Sequence, residues 1–124
     1  MFIGDNMKRF IIIIFSILFL CGCSNNVYNE EKINNIVKDK EYVIIDVRTK
    51  EEYDTGHIVD SINIPVDTIT LENIEEYKDK IIFVYCKSGN RSNIASAYLK
   101  DLGLNVYDMG AYANIELPKE NSYK

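Results

Sequence analysis

The chain has 124 residues, 47% of them hydrophobic and 27% charged, with 6 Gly, 2 Pro, 3 Cys and a formal net charge of -5. One modest domain fits that length; the balance excludes a collagen-like or disordered chain, and three cysteines are too few for a disulfide-dense scaffold. The acidic excess argues against nucleic acid as a partner, because phosphate binding needs clustered Lys and Arg.

Hydropathy divides the chain in two. Of the first 22 residues, 15 are hydrophobic. Lys8 and Arg9 precede an apolar run from Phe10 to Leu20 that only Ser16 interrupts. As a helix, these 11 residues rise about 16 Å, well short of the ~30 Å that a membrane span needs. A basic start and a short apolar run are the layout of an export signal. The boundaries that follow are 1–22 for the signal peptide, 23–29 for a polar tether, 30–118 for the globular domain and 119–124 for a tail. Without the first 22 residues, 12 basic residues face 18 acidic ones and the net charge becomes -6.

In the body, Ile33, Ile36 and Val37 fall at helical spacing behind Asn29 and two glutamates, which predicts a capped helix. Tyr42 to Val47 and Ile81 to Tyr85 are short, nearly unbroken apolar runs rich in β-branched residues. Such runs predict strands buried on both faces, as in a parallel sheet. Shorter strands are expected at Ser61–Ile64 and Asn105–Tyr107, with a helix across Leu71–Tyr77. Ile94, Ala95, Tyr98, Leu99 and Leu102 form a second helical stripe, opened by Ser92 and closed by Gly103. Strands alternating with helices predict an α/β fold around a central parallel sheet.

In open sheets of this class, ligands bind beyond the carboxyl ends of the strands. Asp46-Val47-Arg48 ends one strand, and Cys86-Lys87-Ser88-Gly89-Asn90-Arg91-Ser92 runs from the other into its helix. Backbone N–H groups of a Gly-containing turn, the helix N-terminus and the charges of Lys87 and Arg91 all favour thiolate over thiol. The Cys86 pKa is therefore expected below the ordinary value of about 8.5. The same cradle attracts a small anion, which would place a nucleophile against its substrate. The plainer reading makes Cys86 a small buried residue. Against it, an exported chain normally pairs or avoids cysteine, and an unpaired thiol there points to reactivity.

Two resemblances add to this reading. Leu20-Cys21-Gly22-Cys23 resembles the lipobox of bacterial lipoproteins, which implies cleavage after Gly22, a lipidated Cys23 and a membrane-anchored, extracytoplasmic protein. Further on, Asp46-Val47-Arg48-Thr49, Glu51-Glu52-Tyr53, Gly56-His57-Ile58, Ile62-Asn63-Ile64-Pro65 and the loop Cys86–Ser92 resemble the motifs of the rhodanese domain, in the family's order. That family implies a three-layer α/β/α fold and transfer of sulfane sulfur through a cysteine persulfide.

By resemblance, Cys86 takes sulfur from a small anion such as thiosulfate and passes it to a thiol or to cyanide, with no cofactor. Lys87 draws in the donor and Ser92 caps the helix, while Arg91 holds the loop. Arg48 and Glu52 pair across one turn, Asp46 accepts loop hydrogen bonds, and His57 braces the turn after the first strand. One Cys and one His make no metal site. Four residues separate Cys86 from Arg91. Related phosphatases and arsenate reductases have one more, which widens the cradle for a tetrahedral oxyanion, so that rival is disfavoured. A sulfur relay or partner-docking module with little free turnover, handing sulfur to a protein acceptor, stands as the other alternative.

Overall fold

The computed structural model describes residues 27–123. The segment expected as an export signal, Cys23 and most of the expected tether lie outside the described residues. Among the described residues, no helix is long and apolar enough to cross a membrane.

Helix α1 (Glu30–Val37) starts as its sequence predicts: Asn29 accepts from the Lys32 N–H, and two glutamates occupy the first turn. Four strands, β1 (Tyr42–Asp46), β3 (Ile62–Asn63), β4 (Ile81–Cys86) and β5 (Val106–Ala111), form one parallel sheet in the order β3-β1-β4-β5. The central strand β4 is buried along its whole length. Its side chains alternate between two cores, which is why its run is continuously apolar. Ile81, Phe83 and Tyr85 join Ile33 and Val37 of α1 on one face. Ile82, Val84 and Cys86 join Ile74 of α3 (Leu71–Ile74) and Ala95 and Leu99 of α4 (Asn90–Asp101) on the other. The result is the expected α/β fold with helices on both faces of a parallel sheet.

Several elements differ from the sequence reading, each for a physical reason. The segment Leu71–Tyr77 forms one α-helical turn to Ile74 and then one 3-10 turn, Glu75–Tyr77. Strand β5 runs to Ala111, well past Tyr107, because β4 continues to Cys86 and keeps offering partners; a bulge lets Tyr85 pair with Gly110. Lys119–Glu120, expected as tail, is strand β6, which pairs antiparallel with β2 (His57–Ile58).

A helix not foreseen, α2 (Lys50–Thr55), follows β1. It is set by a reciprocal cap: the Thr49 hydroxyl accepts from the Glu52 N–H at 3.3 Å, and Glu52 Oε1 accepts from the Thr49 N–H at 3.2 Å. The stripe on α4 also divides. Ala95 and Leu99 are buried with Ser92 and Ser96, whereas Ile94, Tyr98 and Leu102 are 62%, 42% and 38% exposed. A helix turns 100° per residue, so only one arc of it can face the sheet, and that arc runs through positions 92, 95, 96 and 99.

Candidate active site

The chain leaves β1 toward β3 on one side and reaches β4 on the other. The carboxyl ends of β1 and β4 therefore adjoin at a topological switch point, with Asp46 opposite Tyr85. Cys86 is the last residue of β4, and its side chain has no exposure. Gly89 adopts a φ of +99°, a left-handed conformation open to Gly, and caps α4. That turn brings the Gly89 N–H to 3.0 Å from Cys86 Sγ. The helix then begins at Asn90, so Ser92 lies inside its first turn and is not the cap expected from the sequence. Instead, the Ser92 side chain is buried under the loop, its Oγ 3.5 Å from Cys86 Sγ and 3.1 Å from the Gly89 carbonyl. As a thiol, Cys86 donates to Ser92; as a thiolate, it accepts from the rotated hydroxyl.

Burial by itself pushes the Cys86 thiol up. Hydrogen bonds from the Ser92 hydroxyl and from the N–H groups of Ser92, Gly89 and Ser88 outweigh it and bring the pKa below the ordinary value. The 12-residue helix α4 adds its positive N-terminal end to the same point. Lys87, Ser88 and Asn90 are exposed, so Ser88 acts through its backbone, and Lys87 stands at the rim of a cleft of about 270 Å³. Arg48, Glu52, Thr55, Tyr112 and Ala113 line the rest of that cleft. Thr55 was not legible as a site residue, since nothing in its local sequence marks it.

Two ion pairs hold the surroundings, and they are not the pair that the spacing suggests. Arg48 bonds Asp46, not Glu52: Nη2 lies 2.6 Å from Oδ2, Nε 3.0 Å from both carboxylate oxygens, and Nη2 also donates to the Gly56 carbonyl at 2.6 Å. The Arg48 N–H donates to Asp46 as well, so this carboxylate is spent on Arg48 and not on the cysteine loop. Burial opposes the guanidinium charge, but the hydrogen bond and charge of Asp46 outweigh it and raise the Arg48 pKa. Tyr112 lies over Arg48 at 4.5 Å and stacks on Tyr85 at 5.8 Å.

Glu52 faces the other way because the cap places it on the first turn of α2. It takes Arg91 in a two-bond fork, at 2.6 and 3.0 Å, across 39 residues of sequence. The Arg91 hydrogen bond, partly opposed by burial, lowers the Glu52 pKa from 4.5 to about 2. Arg91 thereby fixes the end of the cysteine loop to α2.

His57 is buried and stacks on Tyr53 at 3.7 Å. Its Nδ1 donates to the Tyr53 carbonyl at 2.7 Å, and Nε2 lies 3.4 Å from Glu120 of β6. These contacts join α2, β2 and β6, as a bracing role requires.

A family model described as "Rhodanese-like domain" matches residues 29–115. The chain belongs to the rhodanese family. Its domain is 30% identical to the structure titled "rhodanese with anions from E. coli", with a TM-score of 0.60 over 64% of this chain and 98% of that one. The rhodanese-like domain protein of Staphylococcus aureus is 32% identical, with a TM-score of 0.54 over 73% and 83% of the two chains. Among curated proteins, the tRNA uridine(34) hydroxylase of Enterobacter sp. (strain 638) is 38% identical over 80 residues, 60% of this chain and 23% of that protein. That of Buchnera aphidicola is 34% identical over 84 residues, 62% and 27%. The chain thus spans about a quarter of the length of these relatives.

Proposed function

We propose that this rhodanese is a sulfurtransferase that carries sulfane sulfur as a persulfide on Cys86. The observation that carries the reading is the N–H cradle: the Gly89 N–H sits 3.0 Å from Sγ, and the Ser92 hydroxyl and the α4 N-terminus converge on the same atom. In the first half-reaction the Cys86 thiolate attacks the outer sulfur of thiosulfate. The donor's S–S bond breaks, and sulfite leaves with the electron pair. The persulfide anion, Cys86–S–S⁻, moves its charge one atom outward, where inward-facing N–H groups stabilise it. A thiolate or cyanide then attacks the terminal sulfur, the S–S bond breaks, and the Cys86 thiolate returns.

Lys87 supplies charge for the anionic donor, because Arg48 and Arg91 are already committed to Asp46 and Glu52. The short Cys86–Arg91 loop supports sulfur over phosphate chemistry. Cys86 is fully buried, so donor and acceptor alike reach its sulfur only when the loop opens, and a relay to a protein acceptor is the second reading. The hydroxylation in the curated relatives' name is not carried over to a chain that matches a quarter of their length.

Mass spectrometry of the purified protein after thiosulfate tests this. One added sulfur on Cys86, removed by cyanide and absent in Cys86→Ser, is expected. No gain would overturn the sulfurtransferase reading, and a persulfide that cyanide removes only slowly would select the relay. We further propose that Cys23 carries lipid and anchors the domain outside the cytoplasm, on the support of Leu20-Cys21-Gly22-Cys23. Two or three acyl chains at about 0.8 kcal/mol per buried CH₂ give a stable anchor. Cys23→Ser should abolish labelling by a fatty-acid probe; labelling that persists refutes the assignment.

A further inference from the structure

A second hollow lies away from the cleft that Lys87 rims. A groove of about 490 Å³ opens between α1, the start of β1 and the turn after β2. It arises from the sheet's own topology. Strand β3 pairs with β1 only through Ile45–Ile62 and Asp46–Asn63, because the chain before it turns back, the Ser61 N–H donating to the Ile58 carbonyl at 3.0 Å. The odd-numbered residues of β1 turn their backbone groups to β4, and β3 takes the Ile44 carbonyl, so on the outer side Tyr42 and the Ile44 N–H have no strand partner among the described residues. Such an edge presents unpaired backbone donors and acceptors at strand spacing, a template for extended chain.

The walls define the chain that fits. Ile33, Ile44, Ile58 and Leu117 make an apolar floor on the α1 face. Glu30 and Asp60, both exposed, line the same groove, and among the described residues neither is held in an ion pair. Asp60 keeps its carboxylate there in spite of a φ of +65°, a conformation that Gly adopts without strain. In an added strand, side chains two positions apart share a face. An apolar residue on the floor therefore puts the residue two positions away beside the carboxylates, where charge complementarity calls for Lys or Arg.

We propose that this groove docks an extended segment of a partner protein that carries an apolar residue and, two positions from it, Lys or Arg. Docking there needs nothing from Cys86.

The test uses the full chain in detergent and a fluorescein-labelled peptide, Gly-Ile-Thr-Lys-Thr-Gly, with fluorescence anisotropy as the readout. Asp60→Gly removes the charge and relieves the backbone, so it keeps the fold. It should weaken binding about fivefold, as should Glu30→Gln, the size expected for one partly exposed charge pair. A peptide with Glu in place of Lys should bind more weakly still. Sulfur loading of Cys86 should be the same in both variants. Carbodiimide should couple the peptide lysine to Glu30 or Asp60. Equal binding of the Lys and Glu peptides, or unchanged affinity in Asp60→Gly, would overturn the proposal. Coupling of these carboxylates to another lysine of the same chain, or to a lysine of a second copy, would assign the groove to that occupant and overturn it equally.

Discussion

The Arg91–Glu52 fork ties the cysteine loop to the rest of the domain, and Glu52→Gln removes its charge while keeping its shape. The Glu52 pKa falls from 4.5 to about 2 in the folded protein. At about 1.36 kcal/mol per unit this shift corresponds to roughly 3 kcal/mol. Both side chains are close to one third exposed, 28% for Glu52 and 31% for Arg91, so solvent screening reduces the value to about 1–2 kcal/mol. The folded carboxyl ionises at lower pH than the unfolded one. The stabilisation is therefore complete above about pH 4.5 and is lost as the pH falls through about 2. Urea unfolding of both proteins at pH 7 should show Glu52→Gln less stable by about 1–2 kcal/mol, with a gap that closes toward pH 2. A gap that stays constant across that range would show that the variant loses packing or its cap, and would refute the ion-pair account. Arg91→Gln, alone and combined with Glu52→Gln, isolates the coupling, since the double variant should cost less than the two single ones together.

Two further outcomes follow from the cradle and the core. Ser92→Ala removes a buried hydroxyl donor from the thiolate, so the midpoint of iodoacetamide alkylation against pH should move upward and alkylation at pH 7 should slow by about 3–10-fold; a midpoint at the original pH would exclude Ser92 from thiolate stabilisation. Phe83→Ala, at a fully buried site among Tyr28, Tyr42 and Tyr107, should cost about 3–5 kcal/mol in a thermal or urea melt. A loss below about 1 kcal/mol would mean that the α1-side core collapses around the cavity, contrary to its packing.

The local charges explain how an acidic chain could present the proposed site for an anion. Around Cys86, Arg48 is balanced by Asp46 and Arg91 by Glu52, which leaves Lys87 as the rim charge beside the helix N-terminus. The arginines build the site more than they charge it. Tyr112, packed between Arg48 and Lys119 at 4.5 Å from each, closes the wall of the cleft with an aromatic face. The same ring confines Gly56, where an added Cβ would lie 3.0 Å from the Tyr112 hydroxyl. A larger residue at position 56 would make the Tyr112 ring give by a few tenths of an ångström.

Some features were readable because a local cause produces them. Apolar β-branched runs form β1 and β4, Asn29 with its glutamates starts α1, and a thiol between a strand and a helix N-terminus has electropositive surroundings wherever the rest of the chain goes. Helix α2 was equally local, since Thr49 and Glu52 have cap spacing, but Glu52 was assigned to Arg48 on helical distance alone. Tertiary structure reversed that pairing. Asp46 and Arg48 meet because the strand end folds the carboxylate back on its own chain, and Glu52 meets Arg91 because α2 and α4 flank the same switch point. The exposed line Ile94–Tyr98–Leu102 was likewise invisible in advance, since periodicity reports that apolar residues share a face, not which face the sheet covers. The sequence by itself determined the main strands and helices, the thiol between a strand and a helix, and the sign of its environment, all of which depend on neighbours in the chain. Only the fold decided the ion pairs, the buried position of Ser92 and the unpaired edge of β1, because each depends on where distant segments stop.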